Sequence, residues 1–229
     1  MSFVRSAYPL GRAFGLIEGD VDSASEILLR EIKRSFNDEA GVISVVRSFV
    51  GVEQGLSLLD PVVTPFEDRY LIMACPGAWS LYLDNSALFD GSPPRLADLA
   101  RNQSKYTIHV TSTPPNAPEP SPVQQISVYQ KGGGMLRSIC NQWDRSAWRF
   151  TAEGTPYDFE TPYRAADEER FTREHIRDFL SQLGVAVGRG DDLLRLDANA
   201  SGFLLEYQEQ NPDFVRRKKY TSLEELRRV

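Results

Sequence analysis

Two runs of alternating character, QQISVYQ (124–130) and MLRSIC (135–140), flank the segment KGGG, and this pairing constrains the fold more than any other feature. Ile126 and Val128 fall on one side of the first run, Ser127 and Tyr129 on the other; the second run alternates less strictly. Two strand-like runs joined by a short glycine segment predict a β-hairpin. A phosphate loop would need a helix after the glycines, so that its N-terminus meets the anion, and no helix-forming run follows. Neither GxxxxGKS/T nor GxGxxG is present, and Lys131 precedes the glycines.

The same grammar extends along the chain. RYLIMACPGAWSLYLD reads as two strands around a Cys75–Ala78 turn broken by Pro76 and Gly77. AWRFTAEGTPYDFE reads as another hairpin, turning at Glu153–Gly154 and returning through PYDFE. GVISVVRSFV, KYTIHVTS and GFLLEYQ read as single strands. Helices are expected in four places. SASEILLREIKRSF has Ser23 as cap, Glu26 completing a capping box, and Ile27, Leu28, Ile32 and Phe36 at helical spacing. PPRLADLARNQ enters on prolines and sets Leu96 and Leu99 on one side. TREHIRDFLSQLG is capped by Thr172, ended by Gly184 and striped by Ile176, Phe179, Leu180 and Leu183. TSLEELRR closes the chain, with Thr221 or Ser222 as cap. Between KYTIHVTS and QQISVYQ lies TPPNAPEPSP (113–122), with five prolines in ten residues. It cannot join a helix or a central strand and reads as an exposed loop, a domain linker being the alternative. The expectation is one α+β domain over 1–229: a largely antiparallel sheet of about eight strands built from hairpins, with about four helices packed on it.

Composition bounds the function. At 229 residues, with 41% hydrophobic and 25% charged residues, the chain can bury a core without disulfides or metal. Cys75 and Cys140 lie far apart and outside any CxxC or Cys/His cluster, so two buried free thiols in a reducing cytoplasm are expected. The start has no continuous apolar core and no cleavage site of the signal-peptide kind, and no run is long enough to span a bilayer. A net charge of −6 disfavours nucleic acid and favours a basic protein partner.

Candidate chemistry is scattered. His109 sits in an apparent strand and His175 near a helix start, and no GxSxG elbow accompanies either. A Cys140–His109 nucleophile pair has no supporting context. His175 and Asp178 share a helix face, which makes half a metal site at best; no metal and no cofactor is expected. Carboxylates cluster at 167–169, at Asp191 and Asp192, and at Glu206 and Glu209, each reading as solvated charge. Phe214 and Tyr220 flank the basic run 216–219, which a charged edge strand explains as well as a nucleic-acid strip does. Aromatic residues concentrate at Trp79, Tyr82 and Phe89, and again from Trp143 to Phe171. Most belong in a core, with some left for a binding face.

The stretch AWRFTAEGTPYDFETPYRAADEERFTREHIRDFLSQLG resembles a pattern in families of uncharacterised bacterial proteins: a tryptophan-bearing strand, a glycine turn, FE, a tyrosine, an RF pair and a helix ending in LG. Upstream, AWSLYLDNSALFDG resembles the segment those proteins carry before a small helix. The resemblance spans roughly residues 70–207 and implies a bacterial origin without an activity; immunity proteins against toxins enter only by analogy of size, charge and class. In this stretch Trp148 and Phe150 are expected to share a strand face, with Phe159 packing from the returning strand. Glu160 is expected to accept from Arg164 or Arg170, and Phe171 to staple the Thr172 cap. The resulting expectation is a cytoplasmic interaction protein whose partner-facing residues are Asp191, Asp192, Glu206, Glu209, Trp79 and Tyr82. The alternative is a hydrolase-like enzyme built on scattered carboxylates, with no catalytic residue assigned.

Overall fold

The computed structural model describes residues 13–35, 43–60, 62–64, 69–86, 93–103, 105–113, 122–160, 163, 166–189, 192–208 and 218–220. The elements run β1 (Ala13–Glu18), α1 (Val21–Ser35), β2 (Ile43–Val50), α2 (Val52–Leu58), β3 (Val62–Thr64), β4 (Arg69–Ala74), β5 (Trp79–Asp84) and α3 (Pro93–Gln103). There follow β6 (Thr107–Ser112), β7 (Val123–Tyr129), β8 (Met135–Trp143), β9 (Trp148–Gly154), a 3-10 turn (Asp167–Arg170), α4 (Arg173–Gln182), β10 (Ser201–Gln208) and β11 (Lys218–Tyr220).

The expected α+β class is what the chain adopts. Nine strands form one antiparallel sheet in the order β2-β10-β4-β5-β1-β6-β7-β8-β9, one more than the reading of about eight. β3 and β11 form a separate two-stranded ribbon. The additional main-sheet strand is β1, which sits at the centre. Because both of its faces are covered, AFGLIE shows no alternation by which to read it. Gly15 is required there: a Cβ at this position would lie 2.8 Å from Leu96 and from the Tyr82 ring.

Alternation along the strands builds two cores. One face carries Leu16, Leu71, Met73, Leu81, Val110, Ile126, Ile139 and Leu204 and is covered by α2 and α4. The other carries Ile17, Tyr70, Ile72, Tyr82 and Leu205 and is covered by α1 and α3. The α1 stripe of Ile27, Leu28 and Ile32 is buried as expected. Its cap is Asp20 rather than Ser23, since the Asp20 carboxylate accepts from the Ser23 N–H at 2.8 Å. Phe36 and the C-terminal helix expected over TSLEELRR lie outside the described residues.

The glycine segment is a hairpin turn that also docks. Gly132 and Gly133 take φ of 85° and 91°. The Gln130 N–H donates to the Gly134 carbonyl at 3.0 Å, and the Gly132 N–H donates to Ala100 of α3 at 3.1 Å. Strands β6 and β7 on either side of the proline-rich run are neighbours in the sheet; residues 114–121 between them lie outside the described residues.

One hairpin differs from its reading. β9 continues through Glu153 and Gly154, still paired with β8, and PYDFE forms no strand. Pro156 has no N–H to give a ladder, and Tyr157 and Phe159 pack on the α4-side core instead of extending the sheet. The turn that makes the hairpin is Asp144–Ala147, where the Asp144 carboxylate accepts from the Ser146 and Ala147 N–H groups at 3.1 and 3.0 Å. The Arg149 guanidinium, with help from Ser146 and Ala147, holds the Asp144 carboxyl well below the usual carboxylate range.

Candidate functional site

A cleft of about 270 Å³ opens between α4 and the segment that crosses from β9. Helix α4 supplies His175, Asp178, Phe179, Ser181 and Gln182; the crossing segment supplies Phe159, Glu160 and Tyr163. This geometry follows from one residue the sequence reading passed over. Arg137 lies on the core-facing side of β8, between apolar neighbours, and is 4% exposed. A charge in that position needs a partner. Glu160 provides it: Arg137 Nη2 donates to Oε2 at 2.6 Å and Nε to Oε1 at 3.0 Å. Glu160 also accepts from the Tyr157 N–H at 2.9 Å and from the Tyr163 hydroxyl at 3.2 Å. Of the expected partners, Arg170 lies over the Phe150 ring, 5.2 Å from its centroid, and Arg164 is outside the described residues. Burial, and then the charge of Glu160 beside it, raise the Tyr163 phenol above its ordinary range.

His175 is the third residue of α4, and the Thr172 N–H donates to its Nδ1 at 3.0 Å. In the neutral ring that contact leaves the proton on Nε2. The Thr172 hydroxyl accepts from the His175 N–H, so the pair forms a capping box with histidine in the position usually held by Glu or Gln. Phe171 and Ile176 are both buried in the same core cluster, as a staple before the cap requires. Asp178 is exposed and makes no ion pair among the described residues.

The cleft therefore holds one carboxylate whose oxygens are occupied, one open carboxylate, an imidazole engaged at Nδ1, and aromatic rings. Acid–base catalysis by two carboxylates needs both available to a substrate, and Glu160 is committed to Arg137. The arrangement is equipped to bind.

A second concavity, of about 220 Å³, lies on the opposite face of the sheet, between α1 and the strands β2 and β10. Leu29, Val46, Phe203 and Leu205 give it an apolar floor, and Asp22, Ser25 and Glu26 form its α1 rim.

The residues expected to face a partner do not converge. Tyr82 is fully buried and donates to Asp84, so it belongs to the core and offers no surface. Trp79 is half-buried against the α4-side core and donates from Nε1 to the Leu183 carbonyl at 3.2 Å. Glu206 lies between Arg47 and Arg69, at 3.5 and 3.3 Å, and is neutralised there. Asp192 is exposed in a turn closed by its own N–H to Arg189; Asp191 and Glu209 lie outside the described residues. His109 and Cys140 stand two strands apart, roughly 10 Å across the sheet, which rules out direct contact. Both cysteines are free. Of the basic run, Lys218 and Lys219 pair with Thr64 and Val63 in the small ribbon. Among the described residues no group of His, Cys, Asp and Glu is placed to hold a metal, and no helix is long and apolar enough to cross a membrane.

Fold and clefts together define an α+β protein built on a nine-stranded antiparallel sheet with a concavity on each face. Comparisons with family models, curated proteins and solved structures found no match to this chain.

Proposed function

We propose that this protein is a cytoplasmic bacterial interaction module that takes an extended, basic segment of a partner protein along β2, an immunity-type toxin neutraliser being its concrete form. The observation that carries the reading is the contrast between the two edges of the sheet. β9 presents the charged side chains Arg149 and Glu153 to solvent, the usual protection of an edge. β2, the other outermost strand, carries Arg47 on the face away from the groove, where it pairs with Glu206, and on the groove face presents Val46 at 47% and Val50 at 62% exposure. An added strand would hydrogen-bond to β2 and drop alternate side chains onto Val46 and Phe203. Asp22 and Glu26 on the rim answer lysine or arginine on that strand, in keeping with the net charge of −6. Arg30 follows further along α1 and is outside the groove lining, so the acidic character belongs to the end near Asp22.

The test uses a synthetic strand of alternating valine and lysine, with a glutamate-for-lysine version as control. The lysine peptide is expected to bind saturably and to protect β2 amides from hydrogen exchange. The double substitution Asp22→Lys/Glu26→Lys is expected to weaken it at least about tenfold. Equal binding of both peptides, or binding indifferent to the double substitution, removes the reading. A concentration-dependent dimer abolished by Val46→Lys would replace the foreign strand with a second copy of the chain.

A further inference from the structure

From the α4 cleft we infer a second, independent binding site, for a small organic cation: an ammonium group carried on a compact apolar body. The inference rests on how charge is distributed over the cleft wall. Glu160 is matched by Arg137 and contributes no net charge. His175 is engaged at Nδ1 by the Thr172 N–H, as part of the capping box. Among the described residues, no arginine or lysine lines the cleft, Arg137 being buried beneath Glu160. What remains among the described lining residues is the open carboxylate of Asp178, set beside the rings of Phe159, Tyr163 and Phe179. A carboxylate beside aromatic rings attracts a cation twice, through its charge and through the negative faces of the rings. An anion would be repelled by Asp178, with no described arginine or lysine in the lining to offset it, and a neutral apolar ligand would leave that carboxylate unanswered.

The rings are held in place. Phe159 stacks on Tyr157 at 5.1 Å between centroids, and both meet Phe179 edge-on, at 5.0 and 5.4 Å. Tyr163 is fixed at its hydroxyl by Glu160 and at its ring by Phe171, 5.5 Å away and perpendicular. The cleft thus needs little ordering to receive a ligand, which favours affinity from few contacts. A volume of about 270 Å³ suits an amine that displaces on the order of nine waters. Ser181 and Gln182 at the rim provide hydrogen bonds for a hydroxyl or carbonyl on the same ligand.

The experiment is titration calorimetry with choline and tyramine as probes, and 3,3-dimethylbutanol as the neutral counterpart of choline in shape. At least one amine is expected to bind saturably, and choline about tenfold or more tighter than the neutral alcohol. Asp178→Asn, an exposed change that leaves the fold intact, is expected to remove that preference, and Phe159→Leu to weaken the amines. Equal affinity for choline and the alcohol, or no saturable binding of either amine up to tens of millimolar, overturns the inference. So does amine binding unchanged in Asp178→Asn. None of these outcomes touches the α1 groove, which lies on the other face of the sheet, so the two readings fail separately.

Discussion

Arg137 shows how one residue can organise a site without reaching the surface. Its guanidinium spans Glu160 and the carbonyls of Glu153 and Gly154, tying the end of β9 to the crossing segment. Truncation to Arg137→Ala leaves a buried carboxylate without its partner and is expected to cost about 3–5 kcal/mol, read from urea denaturation. The double variant Arg137→Met/Glu160→Met is expected to be more stable than the single truncation, because it removes the stranded charge. Cys75 gives a prediction with pH. Burial pushes its thiol from 9.0 up to about 12, against a weaker opposing pull from the Leu81 backbone. Between those values the unfolded chain gives up the proton while the folded chain keeps it. Stability is therefore undiminished below about pH 9 and falls as pH rises from there toward 12. Cys75→Ala is expected to flatten that decline in denaturation curves taken across the range. The native protein should react slowly with iodoacetamide at neutral pH and quickly in urea.

At the scale of elements, α4 and the β7–β8 hairpin carry the sharpest expectations. Thr172→Ala removes one side of the capping box and is expected to destabilise by about 1 kcal/mol in thermal unfolding. His175→Gln keeps an acceptor for the Thr172 N–H and should cost less than His175→Ala. In the hairpin, Gly133 has φ of 91° and its missing Cβ would fall 2.5 Å from Arg101 of α3. Gly133→Ala is expected to destabilise by more than about 1 kcal/mol, from backbone strain and the lost docking of turn on helix. Gly134→Ala meets only the mobile end of Gln130, at 3.0 Å, and is expected to be milder by the same measurement.

For the whole molecule, the sheet's two edges behave differently. Val46→Lys places a charge on an exposed edge position and is expected to leave folding stability within about 0.5 kcal/mol of the parent. The same change should suppress aggregation on heating, followed by light scattering, because it gives β2 the protection β9 already has. A matching change at Arg149 of β9, to valine, is expected to raise aggregation.

Much of this architecture was legible because its causes are local. Alternation in 124–130, the glycines after it, and Thr172 with Gly184 around the α4 stripe each depend on neighbours within a turn or a hairpin. Local pattern therefore determined the α+β class, most of the strands, α3 and α4. It misplaced the cap of α1 because two polar residues, Asp20 and Ser23, stand within a turn of each other, and only the geometry of the entering chain selects between them. It sent PYDFE back as a strand because aromatic alternation looks the same whether the chain pairs at an edge or crosses over a core. What only the tertiary structure decided involves residues distant in sequence: β1 at the centre of the sheet, the Arg137–Glu160 pair across 23 positions, and α1 set beside β2 and β10 to make a groove. A buried arginine announces that it needs a carboxylate but not which one. The choice falls to whichever segment the packed core brings within hydrogen-bonding distance, and that depends on the whole chain at once.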